Sequence, residues 1–361
     1  MGFRRLARPT PYTGAWYLYN FMHIESPGEL YLGLFDDQTP TMGAIYRSGN
    51  HGDSWAKILD HNDFGGVNST PMHLIKSSAG YLVVVFRNVA PTAYMQVYQA
   101  ASLAGPWTVV LGGVGTAGLY RGVPNLWKIS ESKIWVSGVG LVSGSNNNCL
   151  HYSGDGGLTW ISVLTIATLF PSNTAQVRVN SAGTRGFMGD VTTSADTQYR
   201  YSSTPKTGLW TAVGVVERAL RFGVNWPNVV VPYATVYYYS TDNGQTFPVS
   251  QAIPAGMQTT GTEAYLTGVD MSPLDSTFLL AAVNTVTNGS MWVSLDGGAT
   301  WTQKIVSLGS DGSKNRLLNS VMCDPYNVYK AYAWGANGFY RSDDKGATWQ
   351  TRSNGLQIGQ T

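Results

Sequence analysis

Five segments of this 361-residue chain repeat one arrangement of groups that could carry acid–base chemistry. Each starts with Ser, has an acid or amide two residues on and Gly four on, then Ser or Thr six on and an aromatic seven on. They are Ser48, Asn50, Gly52, Ser54 and Trp55; Ser153, Asp155, Gly157, Thr159 and Trp160; Ser240, Asp242, Gly244, Thr246 and Phe247; Ser294, Asp296, Gly298, Thr300 and Trp301; and Ser342, Asp344, Gly346, Thr348 and Trp349. A carboxylate beside a hydroxyl is half of a proton-transfer pair. The same residues in the same order also make a turn, because Asp accepts from nearby backbone N–H groups and Gly takes positive φ. The turn is the expectation here. The first copy supports it, since the amide of Asn50 keeps the hydrogen bonds but cannot act as a catalytic acid.

Other residues offer less. Glycosidic hydrolysis needs two carboxylates flanking one bond. Asp36, Asp37, Asp190 and Asp270 lie outside the five segments, and nothing in the sequence pairs any two of them. Gly113, Gly115 and Gly118 spell a dinucleotide-binding glycine pattern, but Leu119 to Pro124 is a poor opening for the helix that would hold a pyrophosphate. A loop is expected there. His23, His51, His61, His73 and His151 form no ligand spacing, and Cys149 and Cys323 are read as buried free thiols. No catalytic set, cofactor or metal is expected.

The elements that must position these groups follow from the period. An aromatic stands just ahead of each Ser: Tyr46, Tyr152, Tyr239, Trp292 and Tyr340. Two weaker copies keep only the frame, from Ala100 to Trp107 behind Tyr98, and from Ser203 to Trp210 behind Tyr201. The starts at 48, 100, 153, 203, 240, 294 and 342 are separated by 52, 53, 50, 37, 54 and 48 residues. About 50 residues is one four-stranded propeller blade. The reading is therefore all-β, a seven-bladed β-propeller of four-stranded antiparallel blades over residues 15–352. Its blades are placed at 15–60, 69–112, 119–167, 172–215, 218–252, 262–307 and 315–352. Residues 1–14 form a basic arm and 353–361 a C-terminal tail. No C-terminal strand is clearly left over to close the ring, and the N-terminal segment Pro9–Thr13 could add to an edge.

These segments resemble the Asp box, S-x-D-x-G-x-T-W, of BNR-repeat propellers. That group includes sialidases, sortilin-type receptors, xyloglucan-cleaving glycosidases and photosystem II assembly factors. The pairs Ser26-Pro27, Ser272-Pro273 and Asp324-Pro325 resemble the turn between the first two strands of such blades. The resemblance implies that the boxes are structural hairpins away from the ligand face. It also implies what a sialidase would need: three arginines, a Tyr–Glu pair, an acid and a Phe/Tyr-Arg-Ile-Pro motif. Only Glu25, Glu29, Glu131, Glu217 and Glu263 are available, and Tyr120 to Pro124 departs from the motif. No sialidase is expected. The aromatic stretch Trp16, Tyr17, Tyr19 and Phe21 could stack on a sugar, though packing is the favoured reading.

Composition bounds the rest. Charged residues are 12% of the chain, about half the usual share. The net charge is +2, and without Arg4, Arg5 and Arg8 it is −1, which makes those three a possible docking arm on a near-neutral body. No specific nucleic-acid partner and no membrane insertion are expected, and the start lacks the apolar stretch of a secretory signal. A virion protein, freed by lysis, reconciles that start with an extracellular-looking composition. So does an exported chain whose leader has been removed. The leading functional expectation is a non-enzymatic phage virion component in the tail, a nozzle, hub or fibre-associated protein. Its partners would be other tail proteins and copies of itself in a symmetric assembly, with a host-surface glycan as a further ligand. The alternative is an extracellular glycan-binding or glycan-cleaving propeller.

Overall fold

The computed structural model describes residues 16–36, 43–66, 69–89, 92–112, 125–137, 149–165, 175–191, 197–207, 209–216, 222–252, 254, 257, 265–284, 289–305, 320–335 and 338–356, except 234–235. It is an all-β, seven-bladed propeller in which every blade is a four-stranded antiparallel meander of consecutive strands. The blades span 16–60, 69–112, 125–165, 175–216, 223–252, 265–305 and 320–351. First strands pack against first strands in turn from the first to the fourth blade and from the fifth to the seventh, and so line the centre. Middle strands are covered on both faces by neighbouring blades. Their sequences are accordingly continuous apolar runs rather than alternating ones, as in Leu82–Val85, Phe278–Val283 and Ala331–Trp334, all buried. Each of the seven joints between blades has its own apolar cluster.

The five boxes share one geometry. The Ser Oγ donates to the side-chain oxygen two residues on, at 2.7–2.8 Å. It accepts from the Gly N–H four on, at 2.7–2.9 Å. The same Asp or Asn oxygen takes the N–H six on, at 2.8–3.0 Å. Asn50 fits because its amide nitrogen turns to donate to Ser54 Oγ, at 2.9 Å. The residue before each box Gly is also left-handed, and its N–H donates to a carbonyl in the first turn of the same blade: His51 to Gly28, Gly156 to Ser132, Asn243 to Pro227, Gly297 to Thr277 and Lys345 to Tyr329. Boxes and first turns therefore share one face of the ring.

Each box also seats against the blade before it. A Cβ on Gly52 would stand 2.6 Å from Phe339 of the seventh blade, on Gly157 2.6 Å from Leu82, on Gly244 2.4 Å from Phe187, on Gly298 2.2 Å from Tyr237 and on Gly346 2.7 Å from Val293. The degenerate copies serve the other two joints with tryptophan. Trp107 packs with Phe64, ring centroids 5.3 Å apart, and Trp210 is buried between the third and fourth blades. In the fourth blade the sequence frame slips by one. The box hydroxyl is Ser202, which accepts from Thr204 N at 3.1 Å, and Ser203 is exposed. The 3-10 turn Pro205–Thr207 absorbs the additional residue before Trp210.

Among the described residues no strand is shared across the joint between the seventh and first blades. Side chains close it. Trp55 packs edge-on to Phe339, centroids 4.9 Å apart. Its indole N–H donates to Arg352 O, and its backbone N–H donates to Asn354 O, both at 2.9 Å. Asp53 takes Arg341 and Arg352, each at 2.9 Å. Ser353 accepts from Phe339 N and Leu356 packs on the joint, so the chain past the last strand is part of this closure as far as 356. The arm at 1–14 lies outside the described residues.

Two measurements check these joints. Gly244→Ala adds a methyl to a left-handed backbone (φ 79°) against Phe187; a loss of about 3 kcal/mol is expected. Gly297→Ala, at φ 71° with open space around it, should lose only about 1 kcal/mol. Urea melts giving equal losses would remove blade contact as the cause. Asp53→Ala should lose about 1 kcal/mol, because the pair is half exposed. It should speed amide exchange at Trp55 without changing the joint at Tyr237; unchanged exchange at Trp55 would show that the ion pairs do not hold the seam.

Candidate functional site

The inner strands carry ionisable residues near the box face, and Glu25 on the first blade connects them. Its carboxylate accepts from His23 Nε2 at 3.1 Å, from the backbone N–H of Lys76 on the second blade at 3.0 Å, and from the ammonium of Lys128 on the third. Its carbonyl accepts from the Tyr326 hydroxyl of the seventh blade at 3.0 Å. One residue thus ties four blades around the channel. Lys128 in turn pairs with Glu131 at 2.9 Å. Burial pushes the Glu25 carboxyl up, but the bonds and charges of His23 and Lys128 outweigh it and hold the pKa at about 2. Burial likewise pulls Lys128 down, and Glu25 with Glu131 more than reverses that. Both groups stay charged through the neutral range, which suits a brace and not a proton shuttle.

Similar bonds cross other inner joints. Leu126 N donates to His73 Nδ1 at 3.0 Å, and Trp127 Nε1 to Val179 O at 3.0 Å. Asn225 Nδ2 donates to Ser272 O at 2.9 Å, and Cys323 N to Asp270 Oδ2 at 2.8 Å. The guanidinium of Arg178 lies 4.3 Å over the Trp127 ring, within cation–π range. Burial lowers its pKa to about 10, with Asp270 opposing the shift. Asp324 is fully buried and accepts from Tyr332 OH at 2.9 Å and Tyr326 N at 2.8 Å.

The residues singled out in the sequence fall into three groups. The box acids Asp155, Asp242, Asp296 and Asp344 are spent on their own turns, and hydrogen bonds from Thr159 hold Asp155 at about 2. Asp270 is spent on the Cys323 backbone. The side chains of Asp36, Asp190 and Cys149, and all of Asp37, Arg4, Arg5, Arg8 and Gly113 to Gly118, lie outside the described residues. Cys323 is buried and its thiol is raised well above the ordinary value by that burial. Among the described residues no group of three or more His, Cys, Asp or Glu could hold a metal ion, and no helix is long and apolar enough to cross a membrane. The Glu25 hub was not read from the sequence. A signal existed: in so weakly charged a chain, His23, Glu25, His73, Lys76, Lys128, Arg178 and Asp270 all fall on first strands.

No family model matches the sequence, and no curated protein matches it. Solved structures match as folds. Prolyl oligopeptidase B from Galerina marginata aligns at 12% identity over 94% of this chain and 51% of its own, with a TM-score of 0.55. A GH74 enzyme from Niastella koreensis aligns at 16% over 91% and 54%, TM-score 0.30. An α-L-arabinanase from Penicillium chrysogenum aligns at 14% over 92% of each chain, TM-score 0.45. The chain spans about half the length of the GH74 and oligopeptidase chains. At these identities the likeness is one of propeller fold.

The hub sets an acid limit. The Glu25 carboxyl ordinarily sits at 4.5 and here at about 2. Its stabilisation is complete above pH 4.5 and is lost as pH falls from there toward 2. Glu25→Gln is expected to cost about 3 kcal/mol at pH 7 and to flatten the stability–pH curve in that window. Parallel wild-type and variant curves would show that the carboxylate charge is not what braces the ring.

Proposed function

We propose that this chain is a glycan-binding propeller that holds its ligand without cleaving it. The observation that carries the second half is the condition of Glu25 and the box acids Asp155, Asp242, Asp296 and Asp344: each is bonded in place and held below its ordinary value. Hydrolysis needs a pair with pKa values pushed apart. Binding needs fixed polar groups beside aromatic faces. The inner ring supplies both in the Trp127–Arg178 stack and the Glu25–Lys128 brace. The first half of the first blade's inner strand carries Trp16, Tyr17, Tyr19 and Phe21. The resemblance of the boxes to those of glycan-active propellers points the same way.

A second reading is the virion one: a tail scaffold meeting other tail proteins or further copies of itself. One observation favours it. Leu274, Leu295 and Tyr329 are exposed on the box face of the sixth and seventh blades, bracketed by the Lys345–Asp275 pair, and grouped apolar side chains mark contact surfaces. Mass spectrometry of purified particles lacking the chain would end that reading.

A glycan array run beside a reducing-sugar release assay tests the main one. Binding without release is expected. Release of sugar would overturn the non-cleaving half, and silence in both assays would overturn the whole.

A further inference from the structure

Building on the glycan reading, we infer that the box-face mouth of the central channel is a subsite for a neutral sugar, with Tyr326 as its stacking platform and Glu131 as its hydrogen-bond acceptor. The resemblance stated above places ligands on the opposite face, so this site is additional to it.

Tyr326 lies in the first turn of the seventh blade, and its ring is held at both ends. Its backbone N–H, at the root of the side chain, donates to Asp324 Oδ1 at 2.8 Å, and its hydroxyl, at the tip, to Glu25 O at 3.0 Å. It is nevertheless 50% exposed. An aromatic ring fixed by its own polar ends and still open to solvent is a prepaid binding surface, because no rotamer freedom remains to be lost. Glu131 is fixed as well. Ser78 N donates to its carbonyl at 2.8 Å, and its Oε1 takes Lys128 at 2.9 Å. Its Oε2 has no bond among the described residues, and the side chain is 55% exposed. The two residues are linked across the mouth by a chain of bonds: the Tyr326 hydroxyl to Glu25, Glu25 to Lys128, and Lys128 to Glu131.

Charge selects the ligand class. Glu25 and Glu131 share the single ammonium of Lys128, so the mouth has no cation left over to pair with an acidic ligand. A cationic ligand on the ring would meet Lys128. An acidic sugar would meet Glu131. A neutral pyranose or furanose meets neither penalty: its C–H face covers the ring and a hydroxyl donates to Glu131 Oε2.

The test uses the full chain and saturation-transfer NMR with calorimetry on cellotetraose, xylotetraose, mannotetraose and arabinotetraose, with tetragalacturonate and choline as charged counterparts. At least one neutral tetrasaccharide should bind, with saturation on the C–H face of one ring. Tyr326→Ala should weaken it tenfold or more and Glu131→Ala severalfold. Tyr326→Phe keeps the ring and should stay within about threefold of wild type, and it remains informative should the Ala variant not fold. Binding undiminished in Tyr326→Ala and Glu131→Ala would overturn the subsite while leaving the glycan reading intact. Preference for tetragalacturonate or choline would overturn the ligand class. No response from any glycan here or on the array would end both.

Discussion

Five glycines without side chains set the geometry of this ring. At each box a single added carbon would enter the preceding blade, at a distance of 2.2–2.7 Å. The blade can approach that closely only because the turn presents backbone there, and the turn holds its shape only because the buried Ser Oγ accepts the glycine N–H. Serine, acid and glycine are therefore one mechanical part. The acid orients the hydroxyl, the hydroxyl orients the glycine N–H, and the glycine sets the distance to the preceding blade. Where the part is missing, in the second and fourth blades, Trp107 and Trp210 fill the joint with bulk instead.

An inner set of bonds does for the channel what the boxes do farther out. Here each connection brings a side chain of one blade to a group of another, and Glu25 has the largest share of them. A carboxylate with three donors is stabilised in its charged form and is therefore useless as an acid near neutrality. The same interactions that brace the ring hold the Glu25 carboxyl in its charged form.

The difference between the two sets explains what could be read from the sequence. A box closes within seven residues, so its spacing is visible in the chain, and with it the blade number, the strand class and the role of each Ser, Asp, Gly and Trp. The hub closes over separations of 51 and 103 residues, from Glu25 to Lys76 and Lys128. No local pattern marks such a pair; only the closed ring brings the strands together. Ser202 was missed for a related reason. A 3-10 turn lengthened that hairpin by one residue, and a fixed spacing counted back from Trp210 then lands on Ser203. The seam between the last and first blades was likewise invisible, because Asp53, Arg341 and Arg352 belong to opposite ends of the chain.

That seam also bears on which face can work as a binding surface. Among the described residues the joint is held by the side chains of Trp55, Asp53 and Arg352 together with the Trp55–Asn354 backbone bond, all beside the first box. The Glu25–Tyr326 bond spans the same joint at the inner end. Tyr326 thus has two duties: its hydroxyl helps to close the ring, and its exposed face remains available. A ligand that covers that face would bury the hydroxyl's bond to Glu25 further from water and strengthen it. Occupying the mouth and closing the ring are then coupled through one side chain, and a ligand bound there would stabilise the fold in proportion to its affinity.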